Sequence, residues 1–383
     1  MSQEKFVELL SQLVAIESVA SNKQALHNAV DFIGDLIKDV PNVTIEKHQS
    51  NGVPSLLAYK GNRTAKFDIL LNAHVDVVPA DPSSFKVAVK DGRIYGRGVL
   101  DMKGTAIALA QVFKQAVNNV PYNLGLQIVS DEEVGGQDGV NYYLKNGLEA
   151  DFVILGEYNN TKNTIYNAAR GICWIEVGFK GESAHGAHLW HGSNAIVKAS
   201  EFVTGILKCY PTPKAETWTT TANIATISTE NETYNKVPDK AKVKIDFRFT
   251  QEDPNFKDKQ SVKDFVKSIH PEAELLQFVN FEPSVHVEEL NPYVQGLSSA
   301  LQKVTGSPVS YKSRPGGSDG RHFAAKNIDV VEFGLYGEGS HSPNEYIETS
   351  SFTEYVSVLN NFLQNPKSQV KVEQNERSSV ASR

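Results

Sequence analysis

The 383-residue chain carries 38 Lys and Arg against 45 Asp and Glu, a formal net charge of −7, with no basic run or stripe. That balance removes the electrostatic basis for a nucleic-acid partner or an anionic membrane surface. A 40% hydrophobic content with 22% charged residues fits a globular protein, and the length favours two domains over one small core. Two cysteines, Cys173 and Cys209, are too few for a disulfide framework and point to a reducing compartment. MSQEKFVELLSQLVAI has neither a basic leader nor a cleavage site, and no apolar run reaches about 18 residues, so a cytoplasmic protein is expected.

Phe6, Leu9, Leu10, Leu13 and Val14 fall at the i, i+3, i+4 spacing of an amphipathic helix, and residues 25–38 repeat it. Strands are predicted at VTIE, SLLAY and FDILLNA, then a helix over 102–118, a strand over 124–130, a helix over 137–146 and a strand over 152–155. Alternating strands and helices predict a sheet covered by helices on its faces. At Gly171 the texture changes. ICWIEVGFKG, TANIATIST, AKVKIDFRF and ELLQFVN read as strands and SNAIVKASEFVTGIL and SVKDFVKSI as helices, which gives a compact α+β module of ferredoxin-like element order. A helix over 291–304, a Gly-rich turn, the strand DVVEFG and a helix over 350–364 then return to the first pattern. The expected fold is α/β: a discontinuous larger domain, 1–171 and 287–365, with an inserted α+β module over 172–286. The polar, aperiodic residues 366–383 are expected to form a disordered tail.

Groups able to hold a metal occur at five places where a strand or turn ends: His74 with Asp76 in HVD, Asp101 in YGRGVLDMKG, SDEEVGG, Glu157 in GEY and His341 in GEGSHSPNEY. Strand alternation puts His74 and Asp76 on one face and Val75 and Val77 on the other. Each group alone has a plain reading: a hydrogen-bonded histidine, a helix cap at Asp101, a solvated first turn for the three acids. Together they lie where open α/β sheets gather ligands, and three adjacent carboxylates after a buried strand need a cation or a helix dipole to offset them.

The motifs and their order resemble the cocatalytic zinc amidohydrolases and peptidases that include succinyl-diaminopimelate desuccinylase, acetylornithine deacetylase, aminoacylase and carboxypeptidase G. The resemblance runs from the first helix to about residue 364. It implies two zinc ions per subunit, with cobalt able to substitute, and Asp101 as the carboxylate between them. His74 and Glu157 would complete one site, and Glu133 and His341 the other. Imidazole nitrogen and carboxylate oxygen suit zinc, and the lack of thiolate argues against a structural ion. By the same resemblance Glu132 is the general base, and Asp76 holds the His74 ring by its second nitrogen.

The inserted module carries His185, His188 and His191 at a spacing of three. The resemblance makes His185 a lid histidine that stabilises the oxyanion, commonly in the active site of the partner subunit, and so implies a homodimer through this module. Arg170, Arg248, Arg314, Arg321 and Asn235 are candidate partners for a substrate carboxylate, with Arg248 preferred because it alternates with Phe247 and Phe249. Gly316, Gly317 and Ser318 would let backbone N–H groups approach it. By the same resemblance, Glu rather than Asp at position 157 is the choice of deacylase and carboxypeptidase-like members, which favours N-acyl amino acids or C-terminal cleavage; the expected reaction is hydrolysis of N-acyl amino acids, with a carboxypeptidase or dipeptidase as the alternative. Departures from the pattern of the resembled desuccinylases, GEY where GEP is common and AARG without a paired arginine, leave the acyl group open. A metal-stabilised binding protein without catalysis is the remaining alternative; it would lack Glu132 or Asp101, and both are present.

Overall fold

The computed structural model describes residues 1–63, 66–215, 217–314 and 316–367; the predicted tail from 368 onward lies outside them. The first helix, Gln3–Val14, buries the five residues whose spacing predicts it, and Ser2 caps it by accepting from the Lys5 N–H at 3.3 Å. Asn22 caps the second, Lys23–Ile37, in the same way.

The larger sheet has the order Val43–Ser50, Val53–Lys60, Leu124–Val129, Lys66–His74, Glu149–Leu155, Asp329–Glu332, Thr164–Ala169, Val285–His286, with Ser310–Arg314 pairing beside Thr164–Ala169. Its four central strands, from Leu124–Val129 to Asp329–Glu332, run parallel, and antiparallel pairs flank them. Alternation along the central strands feeds two apolar layers. Ile69, Leu71, Ala73, Phe152 and Ile154 meet the helices Gln3–Val14, Lys103–Ala116 and Ser351–Gln364 on one face. Leu70, Val153 and Leu155 meet Val140, Tyr143, Leu144 and Phe323 on the other. With both faces covered, the strands read as near-continuous apolar runs.

The segment between Thr164–Ala169 and Val285–His286 forms a second sheet, ordered Thr221–Ser228, Lys240–Phe249, Gly171–Lys180, Glu274–Glu282 and antiparallel throughout. Strand, helix, strand, strand, helix, strand in this order is the ferredoxin-like arrangement. Helices Ala195–Cys209 and Lys259–Ile269 cover one face, packing Phe202, Ile206, Phe265 and Val266 on Val177, Phe179, Val243 and Phe247. Chain exit and re-entry are neighbours in the first sheet, where Val285 pairs with Ala169.

Thr164–Ala169, Ser310–Arg314 and several strands of two or three residues have no counterpart in the sequence reading; TIYNAA and SYKSR carry no clear alternation, and the others are too short to show one. The helix predicted over 102–118, with Asp101 as its cap, runs from Lys103 to Ala116, and Met102 holds its cap position with no side-chain cap bond. The Asp101 carboxylate therefore does not cap the helix. No helix among the described residues is long and apolar enough to cross a membrane.

Both cysteines are free, and their settings differ. Cys173 is fully buried in the inserted core, where burial, helped by Asp246, pushes its thiol up to about 12; Cys209 is exposed at the end of a helix. Thiolate reagents need an accessible, ionised sulfur. The native protein is expected to titrate one thiol with dithionitrobenzoate and the denatured protein two; two fast thiols before denaturation would contradict the packing around Cys173.

Candidate metal centre

Three parallel strands end on one edge, and each delivers an acid or histidine there. His74 is the last residue of Lys66–His74, the turn Glu132–Val134 follows Leu124–Val129, and Glu157 follows Glu149–Leu155. This edge is where α/β sheets place ligands. Asp101 arrives on the loop before helix Lys103–Ala116, and His341 on the loop between the short strands Gly337–Glu338 and Tyr346–Glu348.

The His74 Nε2 lies 3.2 Å from Asp101 Oδ1 and 3.7 Å from Glu157 Oε1. On the other side His341 Nε2 lies 3.3 Å from Asp101 Oδ2 and 3.1 Å from Glu133 Oε1. Two donor groups result, His74–Asp101–Glu157 and Asp101–Glu133–His341, the donor atoms of each within 4.8 Å of one another, with Asp101 offering one oxygen to each. His341 adopts φ +61°, a left-handed conformation that costs a residue with a side chain of order 1 kcal/mol or more and often marks functional sites.

The His74 Nδ1 is 3.0 Å from the main-chain oxygen of Asp76, so a neutral ring that donates there keeps its Nε2 lone pair toward Asp101 and Glu157. The Asp76 carboxylate stands 3.4 Å from the same nitrogen, and it also accepts the N–H groups of Glu132 and Glu133 at 3.3 and 3.0 Å. One acid thus orients a histidine and anchors the turn that carries two glutamates. The run of three acids also separates by role. Asp131 turns away and accepts from the Asp138 and Gly139 N–H groups at 2.7 and 3.2 Å, while Glu132 and Glu133 line the pocket. Only glycine fits at Gly136, which has φ +64° and a Cβ position 2.0 Å from Asp319 Oδ1.

Crowding of carboxylates governs the electrostatics. Burial, then Asp101, pushes Glu157 up to about 8. Burial also raises Glu132 well above the usual range, with Glu157, Asp319 and Asp76 adding to the effect and His74 opposing it. Burial of Asp101 is outweighed by His341 and His74, which hold its carboxyl below the ordinary value. Asp101 and Glu133 in turn raise His341 to about 10. For His74 burial opposes charge, yet Asp101, Asp76 and Glu157 hold its pKa well above the ordinary value. Three carboxylates, Asp101, Glu133 and Glu157, with two imidazoles form a donor set suited to divalent cations of the N/O-loving kind.

A cavity of about 590 Å³ opens on these groups, lined by Asp101, Glu132, Glu133, Glu157 and His341 together with Gly316 and Gly317. Its wall also holds Tyr158, Asn160, Ile172 and Ser340, none of which the sequence reading singled out. Adjacency was the available signal, since Tyr158 follows Glu157 and Ser340 precedes His341. The Ser340 hydroxyl donates to Tyr158 Oη at 2.8 Å, and the Tyr158 ring stacks on the Arg314 guanidinium at 4.7 Å.

Other candidates stand elsewhere. Ser318 is buried behind the wall and donates to Glu332 at 2.5 Å. Arg314 and Arg321 line the cavity but are ion-paired, Arg314 to Glu332 and Arg321 to Glu282 at 3.2 Å. Arg248 shares the open face of the inserted sheet with Asp246, to which it is bonded at 2.9 and 3.2 Å. Arg170 borders a separate cavity, with its guanidinium 5.9 Å over Trp218. His185 is exposed on the inserted segment, its Nδ1 accepting from the Ala187 N–H at 3.1 Å. Asn235 is exposed on the same segment. None of these last four lines the cavity around Asp101.

Residues 70–365 match the family model described as peptidase family M20/M25/M40. The succinyl-diaminopimelate desuccinylase of Orientia tsutsugamushi (strain Boryong) is 30% identical over 369 residues, covering 90% of this chain and 92% of that one. That of Rickettsia bellii (strain OSU 85-389) is 28% identical over 379 residues, covering 92% and 95%. Among solved structures, aminopeptidase PepT from Bacillus cereus ATCC 10987 superposes with a TM-score of 0.75 at 19% identity, covering 95% of this chain and 98% of that one, a likeness of fold. A family match over most of the chain, the fold, and a donor set built for cations agree: the protein belongs to peptidase family M20/M25/M40 and is a metal-dependent hydrolase of amide bonds.

Proposed function

We propose that the enzyme hydrolyses the amide bond of N-acyl amino acids, using two divalent ions, zinc with cobalt able to replace it. The observation that carries this reading is the Asp101 carboxylate, shared between the two donor groups with one oxygen in each. His74 and Glu157 complete the first site, Glu133 and His341 the second. Ions bound there supply Lewis acidity toward the carbonyl and lower the pKa of water. Glu132 faces the same cavity and belongs to neither donor group, so its carboxylate takes the proton of the attacking water and passes it to the leaving nitrogen. Asp76 keeps that glutamate in place through its backbone N–H.

Residues 1–171 and 287–365 form the catalytic domain in this reading, and 172–286 the lid. His185 lies outside its own chain's cavity, which supports a homodimer in which it reaches the partner's site and stabilises the oxyanion. The N–H groups at Gly316 and Gly317 receive the substrate carboxylate, with Arg170, Asn235 and Arg248 brought up by lid closure and Ser318 behind the glycines. Two desuccinylase relatives at 28% and 30% identity favour deacylation over peptide cleavage. Free thiols in both cysteines agree with a cytoplasmic enzyme.

The test is a panel of N-succinyl and N-acetyl amino acids and free dipeptides, assayed with chelator-stripped protein and after zinc or cobalt is restored. N-acyl substrates are expected to turn over fastest, only when metal is present. Faster cleavage of dipeptides would replace this reading with a dipeptidase, and turnover undiminished by stripping would end the metal mechanism.

A further inference from the structure

Glu345 is 1% exposed at the side chain, belongs to neither donor group and does not line the cavity, yet its carboxylate is bonded on every side. The Oε1 atom accepts three main-chain N–H groups of one loop, those of Gly98, Leu100 and Asp101, at 2.9, 3.0 and 3.1 Å. The Oε2 atom pairs with the buried Arg97 guanidinium. The Glu345 carbonyl accepts the Gly96 N–H at 3.2 Å, and Tyr346 pairs with Tyr95 in the small sheet. Convergence of several N–H groups on one anion needs a tightly wound loop. Gly98 provides it at φ +83°, where a Cβ would stand 2.8 Å from the Val77 side chain.

The consequence concerns metal ligands. Asp101 is the shared carboxylate, and its own N–H is one of the three donors. His341, on the far side of the same donor group, sits four residues before Glu345 on one loop. We infer that Glu345 is a positioning residue that sets the metal affinity of the centre, by binding the Asp101 loop to the His341 loop before any ion arrives. A carboxylate that orders both ligand-bearing loops in advance spares the ion that ordering, and outer partners of this kind govern affinity 10–100-fold. Ligand-to-ligand distance across Asp101, Glu133 and His341 is then held by an acid that touches no ion.

This inference rests on the two-metal reading, and the experiment separates them. Full-length protein is stripped with chelator and titrated with Co²⁺ by calorimetry and visible absorbance, for wild type, Glu345→Gln and Arg97→Lys. Glutamine keeps the volume and one acceptor but sets its amide N–H against Arg97. Glu345→Gln is expected to bind Co²⁺ about 10–100-fold more weakly, with shifted visible bands and, at saturating Co²⁺, a lower kcat at unchanged KM. Arg97→Lys keeps the charge without the planar fork, and a smaller loss in the same direction is expected. A folded Glu345→Gln that binds two Co²⁺ with wild-type affinity and spectrum overturns the positioning role alone. If Glu345→Gln does not fold, wild-type affinity and spectrum in Arg97→Lys overturn it instead. Wild-type protein that takes up no Co²⁺ overturns both readings.

Discussion

Glu132→Gln is expected to retain both metal ions and lose turnover by about 10²- to 10⁴-fold, the range that a positioned general base contributes. The substitution is nearly isosteric, and Asp76 continues to hold the backbone N–H of residue 132 at 3.3 Å, so the turn should keep its shape. Two features support the proposed role of Glu132 as base rather than as a fourth donor to one ion. Its side chain is in neither donor group, while Glu133 next to it is bonded to His341 at 3.1 Å. Burial and the neighbouring acids also raise its pKa, which moves the carboxyl toward the operating range of an acid–base catalyst. Metal analysis and kcat on the N-acyl panel decide the matter together. A folded variant with the wild-type rate would remove the base assignment, and a variant that binds one ion instead of two would make Glu132 a ligand.

Asp101→Ala is expected to take the metal content from two ions to none, while His341→Ala takes it from two to one. The contrast follows from geometry. Asp101 gives one oxygen to each donor group, whereas His341 belongs to a single group with Asp101 and Glu133. Removing the shared acid also leaves His74 beside Glu157 alone on one side and His341 beside Glu133 on the other, two donors where each ion needs at least three. Loss of a ligand should exceed the 10–100-fold that loss of an outer partner brings. Metal-to-protein ratios after equilibration with zinc measure this directly. Full occupancy of one site in Asp101→Ala would show that the two sites are independent and that the acid does not bridge them.

Electrostatics links these outcomes to the fold. A parallel sheet aligns several strand ends on one edge, so residues far apart in sequence arrive side by side. His74, Glu132 and Glu157 do so with little help from one another, because each strand is held by its own buried valines, leucines and isoleucines. The carboxylates are thus crowded by apolar packing behind them, and their mutual repulsion persists until cations offset it.

Much of this was legible in the residues themselves, for local reasons. Amphipathic spacing identified the first helix down to its five buried side chains, and apolar runs identified the central strands, since a strand covered on both faces has no polar side to blur the pattern. His74, Glu133, Glu157 and His341 stood out because each follows an apolar strand or a glycine turn. Arg248 and Asp246, two residues apart on a strand, share a face by alternation alone, so their pairing was also open to a reader of the sequence.

Partner choice across long separations belonged to the tertiary structure. No local pattern marks Arg97 and Glu345, 248 positions apart, as partners, or sends Arg314 to Glu332 rather than to a substrate. Nor does the run SDEEVGG say which acid turns inward, since that depends on the Asp138 and Gly139 N–H groups that meet Asp131. Residue types and strand ends, set by side-chain chemistry and periodicity, announced a cation site. The division of its ligands around Asp101 and the acid that braces them follow from which loops the packed sheet brings together.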